Sequence, residues 1–303
     1  MTADFRTAER FLQAEGRLLE RRLFGVLFRD EAPEGVAEVL RGYRNADGGF
    51  GHGLEPDKRC PASLPVDVEI AFQALAAAAG PGSGERATVA GPGEPPAGFR
   101  ELLGPACDFL AGVATDGAVP LAFPVIEDYP RAAHWTDWTY EPGLNPTAGL
   151  AGLLHRIGFE HPWRDAATRY CWDAIDSAKL PEETHALSET LVFLAHVPDR
   201  PRAEQAARAV LARITESPLF QPMPRPGEYG LTPLNVAPSA DSPWRGLFTD
   251  AQLDAHLDEL AAAQQDDGGW PVVWEPPSQA SRLEWRGLVT LHALRTLRSY
   301  GRL

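Results

Sequence analysis

The sequence predicts an all-α chain of about ten to twelve helices, arranged as hairpin repeats that close into a ring. Three observations lead there. First, a helix–turn–loop–helix unit occurs at both ends. Near the start it reads LRGYRNADGGFGHGLEPDKRCPASLPVDVEIAFQAL, and near the end LAAAQQDDGGWPVVWEPPSQASRLEWRGLVTLHAL. Asp47-Gly48-Gly49-Phe50 corresponds to Asp267-Gly268-Gly269-Trp270, and Glu55-Pro56 to Glu275-Pro276, both at an offset of 220 residues. Second, apolar residues recur at three- and four-residue steps along most of the chain. Third, no stretch reads convincingly as a sheet. Full repeat signatures at both termini favour a closed ring, because the end caps of an open solenoid depart from the repeat.

Taken in order, residues 7–28 carry Phe11, Leu12, Leu18, Leu19, Leu23, Phe24 and Leu27 on one helical face, which predicts a single amphipathic helix. Residues 33–44 form a second, stopped by Asn45-Ala46-Asp47-Gly48-Gly49, where Asn and Asp favour the turn and glycine supplies its backbone angles. Pro65 opens a third over 65–79, at a tolerated first-turn position. Residues 80–97, rich in Gly, Pro and Ser, read as a flexible insertion within one domain. Helix resumes over 99–113, and Thr115-Asp116-Gly117 repeats the turn in weaker form. An aromatic loop then ends in Glu141-Pro142-Gly143-Leu144-Asn145-Pro146, a cap followed by a first turn. Further helices are expected over 146–157, 163–178, 182–195, 200–214, 250–265 and 281–300, with a proline-rich irregular segment at 217–244. The whole of 1–303 is expected to be one domain.

The net charge of −14 argues against a nucleic-acid backbone or an anionic membrane as the main partner. Arg17, Arg21 and Arg22 lie close together on one helix and read as a solvated face. Three scattered cysteines, Cys60, Cys107 and Cys171, form no disulfide framework, and the charged N-terminus has no signal-peptide core. A cytoplasmic location follows as the expectation. No apolar run is long enough to span a membrane.

The run Gln264-Gln265-Asp266-Asp267-Gly268-Gly269-Trp270 resembles the glutamine–tryptophan repeats of squalene and oxidosqualene cyclases, which occur more loosely in protein prenyltransferase β-subunits. Arg44-Asn45-Ala46-Asp47-Gly48-Gly49-Phe50 is a variant of it. The resemblance implies an α/α toroid, with Gln264, Gln265 and Trp270 as scaffold. It also implies an apolar, isoprenoid-type ligand. The functional residues of that family transfer poorly. Its proton-donating Asp-x-Asp-Asp motif has only Asp67-Val68-Glu69 as a counterpart, with valine at the donor position, so a noncanonical cyclase would need a displaced acid. No DDxxD is present, and Cys171-Trp172-Asp173 reverses the pair of the prenyltransferase zinc site. No metal or cofactor is expected.

Candidate catalytic acids are Asp57, Asp67, Glu69, Glu55 and Glu275. Acids follow the turns at corresponding places, with Glu141 as a further member, and a ring would gather them at one mouth. Paired carboxylates in a sheltered cavity serve as acid and base; the plainer reading is charge at helix N-termini. Candidate ligand-binding residues are Trp135, Trp138, Tyr140, Trp274, Trp285 and His52, since aromatic faces stabilise cations and bind sugars or apolar groups. His134, beside Trp135, and His185, near Glu183, read as ordinary polar residues. Two further readings stand beside the isoprenoid one: a carbohydrate-active (α/α) barrel, hydrolase or lyase, and a non-catalytic scaffold whose centre is filled.

Overall fold

The computed structural model describes residues 3–80, 95–136, 138–177 and 180–303. Among them are twelve α-helices and no β-strand. In chain order these are α1 (Phe5–Glu15), α2 (Leu18–Phe28), α3 (Glu34–Arg41), α4 (Pro65–Ala78), α5 (Ala97–Val113), α6 (Leu144–Ile157), α7 (Pro162–Asp176), α8 (Thr184–His196), α9 (Arg200–Glu216), α10 (Pro233–Val236), α11 (Asp250–Ala262) and α12 (Gln279–Ser299). The expected insertion near 80–98 falls largely outside the described residues. No described helix is long and apolar enough to cross a membrane.

One expected element is two. The stripe over 7–28 continues without interruption in sequence, yet the chain breaks at Gly16, whose extended ψ of 147° ends α1. The cause comes from the far end of the chain. A Cβ on Gly287 of α12 would lie 3.3 Å from the Gly16 Cα, so two glycines bring the backbones together and α2 turns back beside α12. Arg17 is also no solvated residue: its buried guanidinium pairs with buried Glu20 at 2.6 Å and donates to the Leu54 carbonyl at 2.8 Å.

The Asp-Gly-Gly turns at the two ends are built alike. Asp47 and Asp267 each accept the N–H of the second glycine through Oδ1 at 3.0 Å. Gly48 and Gly268 have φ of 89° and 93°, a region that side chains avoid. Each presses on a neighbouring helix: a Cβ on Gly48 would lie 2.5 Å from the Pro105 carbonyl of α5, and one on Gly268 would lie 2.2 Å from the Thr7 carbonyl of α1. Gly117, in the weaker third turn, does the same to Ala166 of α7 at 2.7 Å.

The packing follows a simple order. Helix α2 touches α4, α4 touches α6, α6 touches α8, and α8 touches α10. From α10 the path runs through α11 to α12, which returns to α2. The other helices pair with these, and α3, α5 and α7 touch in sequence. Helix α4 is buried almost all round, which is why it lacks a polar face. Helices α6 and α8 lie closest, because Gly152 admits the Phe193 backbone at 2.7 Å from where its Cβ would be. A second, smaller apolar cluster of Cys60, Leu64, Val66, Ala122, Ile126, Ala132 and Trp135 binds the loops above the start of α4. Cys60, Cys107 and Cys171 are free and buried.

Candidate functional site

The loop after the first Asp-Gly-Gly turn runs inward. Glu55, Asp57 and Lys58 are all buried, Lys58 completely. The Lys58 ammonium lies 2.9 Å from Asp67 and 3.3 Å from Glu55. A buried charge is tolerated only when paired in this way. Asp67 Oδ1 also accepts the Glu55 N–H at 2.7 Å, which fixes the loop to the first turn of α4. On the other side, the Asp57 carbonyl accepts the Ala132 N–H at 2.7 Å. One ammonium does not neutralise two acids, and burial, opposed by Lys58, pushes Glu55 up to about 7.

The Asp57 side chain points into a different setting. Its Oδ1 accepts the indole N–H of Trp285 at 2.8 Å and of Trp274 at 3.2 Å. Its Oδ2 lies 3.6 Å from His134 Nε2. Burial raises the Asp57 pKa despite those two donors and His134. Burial likewise lowers His134, more than Asp57 raises it. Burial thus disfavours the charged form of both partners, so this contact gains less than an exposed ion pair would.

A relay of contacts continues from there. Trp274 packs edge-on against Trp285 at 5.1 Å and against Tyr229 at 6.0 Å between centroids. The Tyr229 hydroxyl is 2.6 Å from His185 Nε2, and His185 Nδ1 is 2.8 Å from Glu183 Oε1. The hydrogen bond to Glu183 raises the His185 pKa. With Nδ1 donating to Glu183, the neutral ring accepts a hydrogen bond from the Tyr229 hydroxyl at Nε2, and the protonated ring donates one to it. Glu183 caps α8, accepting the N–H groups of His185 at 2.8 Å and Ala186 at 2.7 Å. Partial burial opposes its ionisation, but the His185 ring and those two N–H donors bring its pKa below the usual value. Beside it opens a cleft of about 330 Å³, lined among others by Trp138, Thr139, Glu141, Asn145 and Glu183.

Below the relay sits a carboxyl pair, Glu69 of α4 and Glu189 of α8. Among the described residues, neither is paired with a lysine or arginine, although Gln73 is hydrogen-bonded to Glu69 and His185 attracts Glu189. No N–H or hydroxyl reaches Glu69 Oε1, and each carboxyl is hydrogen-bonded to the other. Burial first, and then the neighbouring Glu189, push Glu69 well above the carboxylate range. Burial and the nearness of the second carboxyl both favour a protonated, hydrogen-bonded pair over two carboxylates. Gly149 makes the room: a Cβ there would lie 1.8 Å from Glu189 Oε2 and 2.7 Å from Glu69 Oε1.

Of the expected acids, Glu55, Asp57, Asp67 and Glu69 gather at the start of α4, in three different roles. Glu275 stands apart: its side chain is 84% exposed and pairs with Arg282 at 2.6 Å. The repeat offset thus equates a buried acid with a surface one. Lys58, which draws Glu55 inward, has serine as its counterpart at Ser278. Trp274 and Trp285 hold Asp57, and Trp138 lines the cleft. Trp135 is buried in the smaller cluster, 5.1 Å from Trp138. Tyr140 donates to Glu127 at 2.8 Å. His52 sits at a φ of 59° with its Nε2 2.9 Å from Asn45 Oδ1, so it braces the first turn. Sequence reading missed Lys58, Tyr229 and Glu189. Glu189 carried a usable signal, lying four residues after His185 on one helix face; Tyr229, in an irregular segment, carried none. Among the described residues, no group of three or more His, Cys, Asp and Glu side chains could hold a metal ion.

Comparison with protein-family models, with curated proteins and with solved structures finds no match for this chain.

Proposed function

We propose that the helices form an α/α toroid whose mouth binds a hydroxyl-rich, carbohydrate-like ligand and cleaves it by hydrolysis. The toroid reading draws support from the circuit of neighbours α2, α4, α6, α8, α10, α11 and α12, which returns to α2. The three glycine turns add to it, since each presses on an outer helix of another hairpin.

The observation that carries the functional reading is a pair of acids on one aromatic relay, driven in opposite directions. Asp57 is raised by burial, and Glu183 is held ionised by His185 and two backbone donors. Such a split assigns acid and base. In this reading Glu183 takes a proton from water as the water oxygen bonds to the anomeric carbon. The bond from that carbon to the leaving oxygen breaks, and Asp57 gives its proton to that oxygen. Trp138 offers an aromatic face to a sugar ring, while Asn145 and Glu141 offer polar groups to its hydroxyls. An isoprenoid ligand calls for a closed apolar chamber, whereas this cleft is lined in part by Thr139, Glu141, Asn145 and Glu183.

The test is a panel of neutral and acidic oligosaccharides, with squalene and farnesyl and geranylgeranyl diphosphates as a second arm, followed by mass analysis of products. Saccharide cleavage that Asp57→Asn and Glu183→Gln abolish, in proteins that still melt cooperatively, is the expected result. Turnover in the isoprenoid arm alone would replace this reading with a cyclase. No turnover and no ligand-induced melting shift in either arm would leave a scaffold.

A further inference from the structure

The helices that carry the acids at one end carry unpaired cations at the other. Three close contacts fix their relative register. Gly149 of α6 meets Glu69 of α4 and Glu189 of α8, and Gly152 meets Phe193, so α6 and α8 run parallel with Arg156 level with His196. Gly287 meets Gly16, and Arg298 donates to the Leu27 carbonyl at 2.9 Å. Both pairs share one offset, so α2 and α12 also run parallel, with Arg21 level with His292. Arg295 lies ten residues beyond Trp285, and Arg156 eleven beyond Asn145. At 1.5 Å per residue these cations stand about 15 Å from the acidic mouth.

Their surroundings are unusual for arginine. Neither Arg156 nor Arg295 has a carboxylate, a carbonyl or an aromatic ring as partner among the described residues, although every other half-buried arginine that interacts does so with one. Both are only partly exposed. Arg21 adds a buried Nε with no acceptor. Burial depresses Arg156 to about 10, with Arg295 as the second cause, so the two guanidiniums are near enough to repel. Burial and then Arg156 bring His196 down to about 3. His292 is open to solvent, yet burial, followed by Arg295, brings it to about 4.

We infer that Arg156 and Arg295, with Arg21, His196 and His292 around them, form a binding site for a small oxyanion, a phosphate or carboxylate group, at the end of the parallel helices away from Asp57. Guanidiniums brought together without counter-charge are unfavourable alone and favourable around an oxyanion, whose oxygens accept their N–H groups. Helix C-termini by themselves repel an anion, so affinity rests on the arginines. His196 and His292, neutral when the site is empty, gain reason to protonate when a negative charge arrives. The inference does not depend on the reading of the mouth.

Inorganic phosphate is the probe, titrated against chloride at constant ionic strength, with melting temperature and histidine NMR signals as readouts. Phosphate is expected to raise the melting temperature saturably and to move the His196 and His292 titrations to higher pH. Arg156→Gln and Arg295→Gln should each weaken phosphate binding about tenfold or more, while Asp57→Asn leaves it unchanged. Should either arginine variant fail to fold, the histidine titrations of the unaltered protein still decide. Phosphate that acts no differently from chloride, or arginine variants that respond as the parent does, would overturn the proposal.

Discussion

Gln264 holds the two ends of the chain together through Asp4. Its Oε1 accepts the Asp4 N–H at 2.7 Å, and its Nε2 donates to the Asp4 carbonyl at 2.9 Å. The same Nε2 reaches the Gly268 carbonyl at 3.0 Å, so one amide clasps the first helix to the last Asp-Gly-Gly turn. Gln264→Ala is expected to cost about 1–2 kcal/mol in urea unfolding, given the worth of partly exposed hydrogen bonds. Native-state hydrogen exchange should quicken in α1 and not in α4 or α6. Unchanged exchange in α1 would show that the clasp does not restrain the N-terminus.

Gly268 packs its Cα against α1 at a backbone angle that already excludes side chains. Alanine there suffers twice, from a φ of 93° and from a Cβ 2.2 Å from the Thr7 carbonyl. Gly227 separates the two effects, having a φ of 76° with open space around it. Gly227→Ala is expected to cost about 1 kcal/mol, and Gly268→Ala about 3 kcal/mol or more. Equal losses on thermal melting would mean that α1 yields to the added methyl.

Much of this was legible in the sequence, because the informative features were local. An Asp that caps its own turn and a glycine at positive φ leave the same signature in both copies. The helices were legible for the same reason, apart from the break at Gly16, which depends on a second glycine at Gly287. The site was half legible. Acids near Pro56 and at the start of α4 were found, but their burial was not, because it depends on Lys58, on the loop that carries Ala132 and on Trp285 of α12. Tyr229 and His185, 44 residues apart, meet only once the irregular segment has folded back. Repeat symmetry misled at Glu275, since equivalent backbone positions need not have equivalent neighbours.

The Trp285 indole gives Asp57 its shorter hydrogen bond. Trp285→Phe keeps most of the packing against Trp274 and removes the donor. The ionised form of Asp57 then loses support while burial remains, so its already raised pKa should climb further, by about one unit. Carbon-13 NMR of the Asp57 carboxyl reads this directly. In the proposed reaction the alkaline limb of the rate profile should move up with it. An unshifted Asp57 titration would mean that Trp274 alone, or water, supplies the stabilisation.

The Glu69–Glu189 pair makes stability depend on pH with a sign opposite to that of an ordinary ion pair. Both folded-state pKa values are raised, that of Glu69 well above the carboxylate range, chiefly through burial. A group raised in this way binds more protons folded than unfolded, so its stabilising effect is complete below the unfolded pKa of 4.5 and is lost as the pH rises through the folded value. Glu55, raised to about 7, acts in the same sense. Histidines oppose it below their unfolded pKa of 6.5, since burial lowers His155 to about 4, with a further push from Arg164. The difference between parent and variant isolates the pair. Glu69→Gln replaces the shared proton with a permanent amide donor and removes the second charge. Its advantage over the parent should be small near pH 4.5 and grow on going to alkaline pH, reaching on the order of 1–2 kcal/mol. Urea unfolding across that range measures it. A difference independent of pH would mean that the two carboxyls do not share a proton in the folded protein.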